Sequence, residues 1–378
     1  MPRNAVSCAA FVLSLWLAGC AGTAHRLDLD RQAGGNAALF RQVATYDTRT
    51  GRRLGFDEVV RRCEAADVVF FGEEHNDSVC NQYQAQLLCG LLHDIRPTAL
   101  AMEFFEADTQ TALDAYLVNA TPELEFREQT RQGRAYVRTH RPLIEIARTA
   151  RVPVIAANAP RQLVRGYRLS GESFEDYVAG LPPADRRWLP ERSEYLTGPY
   201  EERFFELMGG HGDSGGRPAG AAPSPSATQP AATTVPAEAS NAPASAPAPP
   251  VESDATAQPA SSPATTQPSD DLEDETERIR RFYVAQLLWD DAMAEHVAHR
   301  RRTHPFERVL LIVGGFHVDQ EGGTVIKYRQ RRPADRTITL VYRSTPDPAL
   351  PLRERDRTSG DIIVYGIAPS PAKGAEGS

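Results

Sequence analysis

Two carboxylates and an imidazole stand together at Glu73-Glu74-His75, a second imidazole at His317, and a lone carboxylate and an amide at Glu103 and Asn158. Each of these four positions follows a short apolar run, so four polar groups distant in sequence are delivered in the same way. Imidazole next to carboxylate acts as general acid and base without a metal. The same set, with His75, Glu103 and His317 as ligands, could hold a borderline divalent metal. No closely spaced ligand pair such as His-x3-His decides between the two, and the catalytic candidates are Glu73, His75, Glu103 and His317.

The runs themselves say what positions these groups. Val68-Val69-Phe70-Phe71 is apolar, β-branched and aromatic and stops at Gly72, the pattern of a strand buried on both faces of a parallel sheet. A helix follows, capped at Asn76 or Asp77, with apolar Val79, Tyr83, Leu87, Leu88 and Leu91 at helical spacing. Further strands are expected over 98–102, 153–157 and 309–313, ending at Glu103, Asn158 and Gly314-Gly315-Phe316-His317. Sequences 44–47, 337–342 and 361–365 complete the sheet, and helices are expected over 53–63, 108–119, 143–150, 173–181, 201–208 and 277–302. Strands alternating with helices imply an α/β fold, a mostly parallel sheet with helices on both faces. Ligands of such sheets bind at the carboxyl ends of the strands, where all four groups fall. Gly72 and Gly314 let the backbone turn sharply three residues ahead of each histidine.

One segment breaks the alternation. Residues 209–275 are dominated by Pro, Ala, Ser and Thr, and cannot bury enough apolar surface to offset the entropy of ordering. They read as a disordered insertion between two parts of one domain, 44–208 and 276–345, with a C-terminal strand and flexible tail over 346–378. The net charge of −8 arises there, since nine acidic residues between Gly212 and Glu275 face the single Arg217. The remainder is close to neutral, which removes the electrostatic case for a nucleic-acid partner.

The first 19 residues read as a secretory signal, with Arg3 ahead of an apolar stretch from Ala5 to Leu17. Leu17-Ala18-Gly19-Cys20 resembles a lipoprotein lipobox, which makes Cys20 the lipidation site and 20–43 a tether. Ala21 in place of Asp points to the outer membrane of a bacterial envelope in preference to the inner one. Cys63 could bridge to Cys80 or Cys89, or all three could be buried thiols.

Five blocks carry a family resemblance: Gly72-Glu73-Glu74-His75, Ala101-Met102-Glu103-Phe104, Pro153 to Arg161, Gln286 to Ala294, and Gly314 to Val318. In this order, behind a lipoprotein signal, they resemble the ChaN-like haem-binding lipoproteins of the Tiki superfamily. The resemblance implies haem as cofactor, a role in iron uptake with a haem-uptake receptor, and haem held between two protomers. It also implies a tyrosine as iron ligand. The stretch ahead of the Arg-Pro-Leu helix is here Tyr136-Val137-Arg138-Thr139-His140, so Tyr136 and His140 become the cofactor-binding candidates. Tiki and TraB-like relatives share a pair of Gly-x-x-His motifs and a lone glutamate. Here these are Gly72 to His75, Gly314 to His317 and Glu103, which keeps a metal-dependent hydrolase open as the alternative.

If the lipobox is used, Cys20→Ser abolishes lipid labelling and moves the protein out of the membrane fraction, because acyl chains supply most of the membrane affinity of a near-neutral domain. Unchanged pelleting of the variant with membranes would remove the anchor.

Overall fold

The computed structural model describes residues 39–209 and 268–367, with side chains of the second stretch from residue 275. The signal segment, Cys20 and most of the insertion lie outside the described residues. The chain divides into two compact units, Met1–Ala222 with Arg278–Ser378, and Pro223–Glu277. The first carries the whole sheet.

In chain order the strands are β1 (Val43–Asp47), β2 (Arg53–Leu54), β3 (Val68–Glu73), β4 (Thr98–Glu106), β5 (Val154–Asn158), β6 (Arg308–Gly314), β7 (Thr337–Thr345) and β8 (Ile362–Ile367). The helices are α1 (Phe56–Glu64), α2 (Ser78–Leu91), α3 (Gln110–Leu117), α4 (Glu123–Gln129), α5 (Arg141–Ala150), α6 (Arg161–Ser170), α7 (Phe174–Gly180), α8 (Pro183–Arg186), α9 (Pro199–Gly209), α10 (Pro268–Thr303) and α11 (Gly323–Arg331). The sheet order is β2-β1-β8-β7-β3-β6-β4-β5. Pairing is parallel from β8 to β5, and β1 joins antiparallel to both of its neighbours. The fold is therefore the expected mixed α/β one, a mostly parallel sheet with its interior strands buried on both faces.

Period-two alternation splits the core into two layers. Val69 and Phe71 of β3, Leu100 and Met102 of β4 and Leu310 and Ile312 of β6 share one cluster with α2 and α5. Val68, Phe70, Ala99, Ala101, Val309 and Leu311 face the other way, onto Met293, Ala294, Val297 and Ala298 of α10 and Val325 and Tyr328 of α11. Ala99 and Ala101 of the sheet share this cluster with Ala294 and Ala298 of the long helix.

Several local expectations are corrected. Arg53 and Leu54 pair with β1, and α1 begins at Phe56 behind Gly55 with no side-chain cap; Asp57 lies in its first turn, where the helix dipole favours an acid. β4 continues to Glu106 through a register shift after Met102, placing Glu103 where regular pairing breaks. α6 occupies residues 161–170, for which the sequence patterns named no element. Cys63, Cys80 and Cys89 are all free and buried, so the disulfide alternative falls; burial raises the Cys63 pKa to about 12, the state of an inert thiol.

A buried ionic network joins α10, α11 and the segment before α9. Asp291 meets Lys327 Nζ at 2.9 Å and Arg331 Nη2 at 2.8 Å, all three almost sealed from water. Ser193 Oγ donates to the same carboxylate at 3.1 Å, and Lys327 also donates to the Glu194 carbonyl. Asp291→Ala strands Lys327 as an unpaired buried cation and should cost about 3–5 kcal/mol of stability in urea unfolding. Lys327→Met should cost clearly less, since Arg331 still neutralises Asp291. Equal losses in the two variants would contradict this account.

Candidate functional site

The carboxyl ends of β3, β4 and β6 are neighbours, with Glu73 opposite Gly314 in the ladder. After Glu73 the chain turns through Asn76, at a φ of 63°, a left-handed conformation that asparagine tolerates. Asp77 then caps α2, accepting from the Val79 and Cys80 amides at 2.8 and 2.9 Å. This turn throws His75 back over the sheet edge.

Glu73 is the centre of one half of the site. Its fully buried carboxylate lies 3.0 Å from His75 Nδ1 and 3.2 Å, through both oxygens, from His140 Nε2. Gln84 of α2 donates to it at 2.7 Å. Burial alone would raise its pKa, but the charge and hydrogen bond of His140 and the bond from His75 outweigh burial and bring it to about 2. His75 is raised in turn, burial being overcome by Glu73 and Glu103. Glu74 points elsewhere, toward Ser344, and burial raises its pKa.

His317 is the centre of the other half. It lies in a 3-10 turn, Gly315–His317, with Nδ1 2.6 Å from Asp290 Oδ1. Asp290, fully buried on α10, also accepts from Tyr200 at 2.7 Å and Thr324 at 2.6 Å. Gln286 Nε2 stands 3.1 Å from His317 Nδ1 and 3.2 Å from the Tyr200 hydroxyl. Burial lowers the pKa of His317, yet Asp290 and Glu103 reverse this and raise it.

Glu103 joins the halves. One oxygen accepts from the Gly314 amide at 2.6 Å and the other lies 3.7 Å from His317 Nε2. A Cβ at position 314 would come within 3.1 Å of His75 Nε2 and 3.4 Å of Glu103 Oε2, so glycine leaves the room in which these two face each other. The structure thus brings together Glu73, His75, Glu103 and His317, all four catalytic candidates. Asn158 is spent locally on the Ala159 amide at 3.0 Å, and among the described residues no hydrogen bond joins it to the cluster.

The two cofactor-binding candidates are placed differently. His140 belongs to the cluster, its ring stacked on Phe104 at 3.7 Å and its Nδ1 3.2 Å from Thr139 Oγ1. Tyr136 lies beneath, 1% exposed, in an aromatic group with Phe105 and Phe126. Among the described residues its hydroxyl has no hydrogen-bond partner, and burial raises its pKa, disfavouring the phenolate an iron ligand needs. Of the three cluster histidines, His75 has the most accessible side chain, 26% exposed against 9% for His140 and 7% for His317. The metal reading of His75, Glu103 and His317 finds no support, because no group of three or more His, Cys, Asp or Glu among the described residues is arranged to hold an ion. Glu103 is committed to the Gly314 amide instead.

Sequence reasoning missed Asp290, Gln286, Tyr200 and Gln84 as site residues. A signal existed for two of them: Gln286 and Asp290 are four apart in an otherwise apolar helical stretch, hence on one face. As chemistry, the site holds two carboxylate–imidazole pairs about one shared carboxylate, an arrangement that fixes tautomers and can take up or release protons.

A family model described as haem-binding uptake, Tiki superfamily, ChaN matches residues 59–327. No curated protein sequence matches the chain. Among solved structures, the haem-binding ChaN of Campylobacter jejuni superposes with a TM-score of 0.53 at 13% identity, over 87% of this chain and 98% of that one. An erythromycin esterase, EreC, in its open conformation gives 0.41 at 12% identity over 85% and 96%, and the type III effector HopBA1 gives 0.36 at 10% over 82% and 93%. At such identities the likeness to ChaN is one of fold.

The His317 half depends on a second glycine. A Cβ at Gly323 would lie 2.1 Å from Asp290 Oδ2 and 2.7 Å from the Tyr200 ring, whereas one at Gly133 would meet nothing within 4 Å. Gly323→Ala should therefore cost about 1–3 kcal/mol, the usual effect of overpacking, and shift the His317 imidazole resonances. Gly133→Ala should do neither. An unperturbed His317 in Gly323→Ala would refute the packing described here.

Proposed function

Because the chain belongs to the haem-binding uptake family of the Tiki superfamily represented by ChaN, we propose that it binds haem at the carboxyl edge of its sheet and serves haem uptake from a Cys20 lipid anchor in the bacterial envelope. The observation that carries the reading is the extent of the family match, which spans every cluster residue from Glu73 to His317 on both sides of the insertion. Bound haem supplies an iron centre and two carboxylates on a flat apolar ring. Histidine and tyrosine are both established haem ligands. His75 is the accessible imidazole, its Nδ1 tied to Glu73 as metal-ligating histidines commonly are tied to a carboxylate. Phe104 packs edge-on against it at 5.4 Å and offers an apolar surface to the ring. His140 is second in line, and Tyr136 would serve only after the turn Arg134–Val137 opened. Two protomers sharing haem and a haem-uptake receptor complete the reading.

A second reading, general acid–base hydrolysis, is favoured by one observation: the Glu73–His75 and Asp290–His317 pairs flank the shared Glu103. Two histidines each backed by a carboxylate are more than ligation requires.

Titration of purified protein with hemin discriminates the two. Haem binding predicts a Soret shift that saturates at fixed stoichiometry and is altered by His75→Ala, with Tyr136→Phe unchanged. A spectrum altered only by Tyr136→Phe would transfer the ligand role to the phenol. No Soret shift, with ester or amide turnover lost in both His75→Ala and His317→Ala, would replace haem binding by hydrolysis.

A further inference from the structure

Beside the His317 half lies a guanidinium with most of its donors unused among the described residues. Arg203 stands on α9, one turn after Tyr200, with its Cζ 5.5 Å from the centre of the Phe316 ring and 5.6 Å from that of Tyr200. Nη1 donates to the Asp319 carbonyl at 2.8 Å, while Nε and Nη2 are buried without an acceptor among the described residues. These two are the nitrogens whose N–H bonds point the same way and form one fork. Elsewhere in the molecule that fork holds a carboxylate: Arg141 takes Glu123 at 2.6 and 2.9 Å, and Arg300 takes Glu307 at 2.5 and 2.9 Å, each through Nε and Nη2. Arg332 takes Asp335 in the same manner.

The neighbouring acid does not take this fork: Asp319 Oδ2 is committed to Arg343 Nη2 at 2.6 Å, its Oδ1 has no hydrogen-bond partner among the described residues, and Arg203 forms no ion pair among them. Arg343 is itself turned to Asp319 and Asp356. Two buried donors of a charged group left without acceptors are costly, and a bound carboxylate removes that cost. The place is also apt. Phe316 immediately precedes His317, and the Tyr200 hydroxyl bonds Asp290, which holds His317.

We propose that the Nε/Nη2 fork of Arg203 is the receptor for a carboxylate of the ligand, with Phe316 and Tyr200 as the aromatic platform that carries the guanidinium. This rests on the haem reading, under which the carboxylate is a porphyrin propionate. The bidentate geometry selects a planar carboxylate and gives the ring one orientation about its own plane. Lysine would supply the charge without the fork.

The test compares hemin with hemin dimethyl ester, whose propionates cannot accept a charged pair, in the full-length protein. Wild type should bind hemin about tenfold tighter than the ester, the worth of one good charge-assisted pair. Arg203→Gln should lose that preference by weakening hemin alone, and Arg203→Lys should retain only part of it. The thermal midpoints of the variants are measured alongside, and benzoate serves as a carboxylate probe without porphyrin. An Arg203-dependent rise of the midpoint with benzoate, in a protein that ignores hemin, would discard haem and keep the anchor. A hemin-to-ester ratio unchanged in Arg203→Gln would overturn the anchor while leaving haem binding intact. No response to either probe would overturn both.

Discussion

A carboxylate taken out of water must be solvated by something else, and at Glu73 that demand organises the edge of the sheet. The penalty for burying an ion is several kcal/mol, and it is offset only by partners with good geometry. Glu73 draws them from three separate segments: His75 from the turn that follows it, Gln84 from α2 and His140 from the residue preceding α5. Each partner is fixed by an element that packs on the same core layer, so the polar site and the apolar core are not independent. If α2 or the His140 segment were displaced, the charge would be left in a low dielectric without compensation. The cluster thereby ties the sheet-edge site to a strand that is buried throughout.

Much of this was legible from residue patterns because burial is periodic. The runs Val68–Phe71 and Val309–Val313 could only be interior strands, and a group directly after such a strand has no place to go but the sheet edge. That argument located Glu73, His75, Glu103 and His317 correctly as one set. It could not pair them. Which carboxylate serves which imidazole depends on the lateral order of strands, and β6 lying between β3 and β4 is a long-range fact that local patterns do not carry. Asp290 was hidden for a related reason: on a helix of mixed sequence a buried acid looks like a solvated one until its face is known. Tyr136 and His140 show the limit of resemblance, since a shared stretch ahead of the Arg-Pro-Leu helix says which residues are near the site but not which of them faces outward.

The two halves of the site have different supports. The Glu73 half is built from elements that precede the insertion, whereas Asp290, Gln286 and His317 come after it and Tyr200 and Arg203 from the last helix before it. The His317 half is thus assembled by α9 and α10, the helices between which the insertion is carried. Aromatic rings dominate there, with Tyr200, Phe204, Tyr283 and Phe316 in one cluster. Tyr200, Phe204 and Tyr283 are buried, and Phe316, beside His317, is partly buried.

The order of the strands also sets a timetable for a ribosome. β3, the most apolar strand of the first half, has β6 on one side and β7 on the other, with Val68 opposite both Val309 and Thr337. Neither neighbour exists until the whole low-complexity stretch has been made. An emerging chain therefore carries Val68-Val69-Phe70-Phe71 with both edges unpaired for most of its synthesis, and non-local parallel pairing is slow even when its partners are present. Such exposed segments are what holding chaperones bind. Lengthening the insertion extends that waiting time in direct proportion to the codons added, while its entropic cost to the finished fold rises only as a logarithm. The length of this segment therefore weighs more on the growing chain than on the native one.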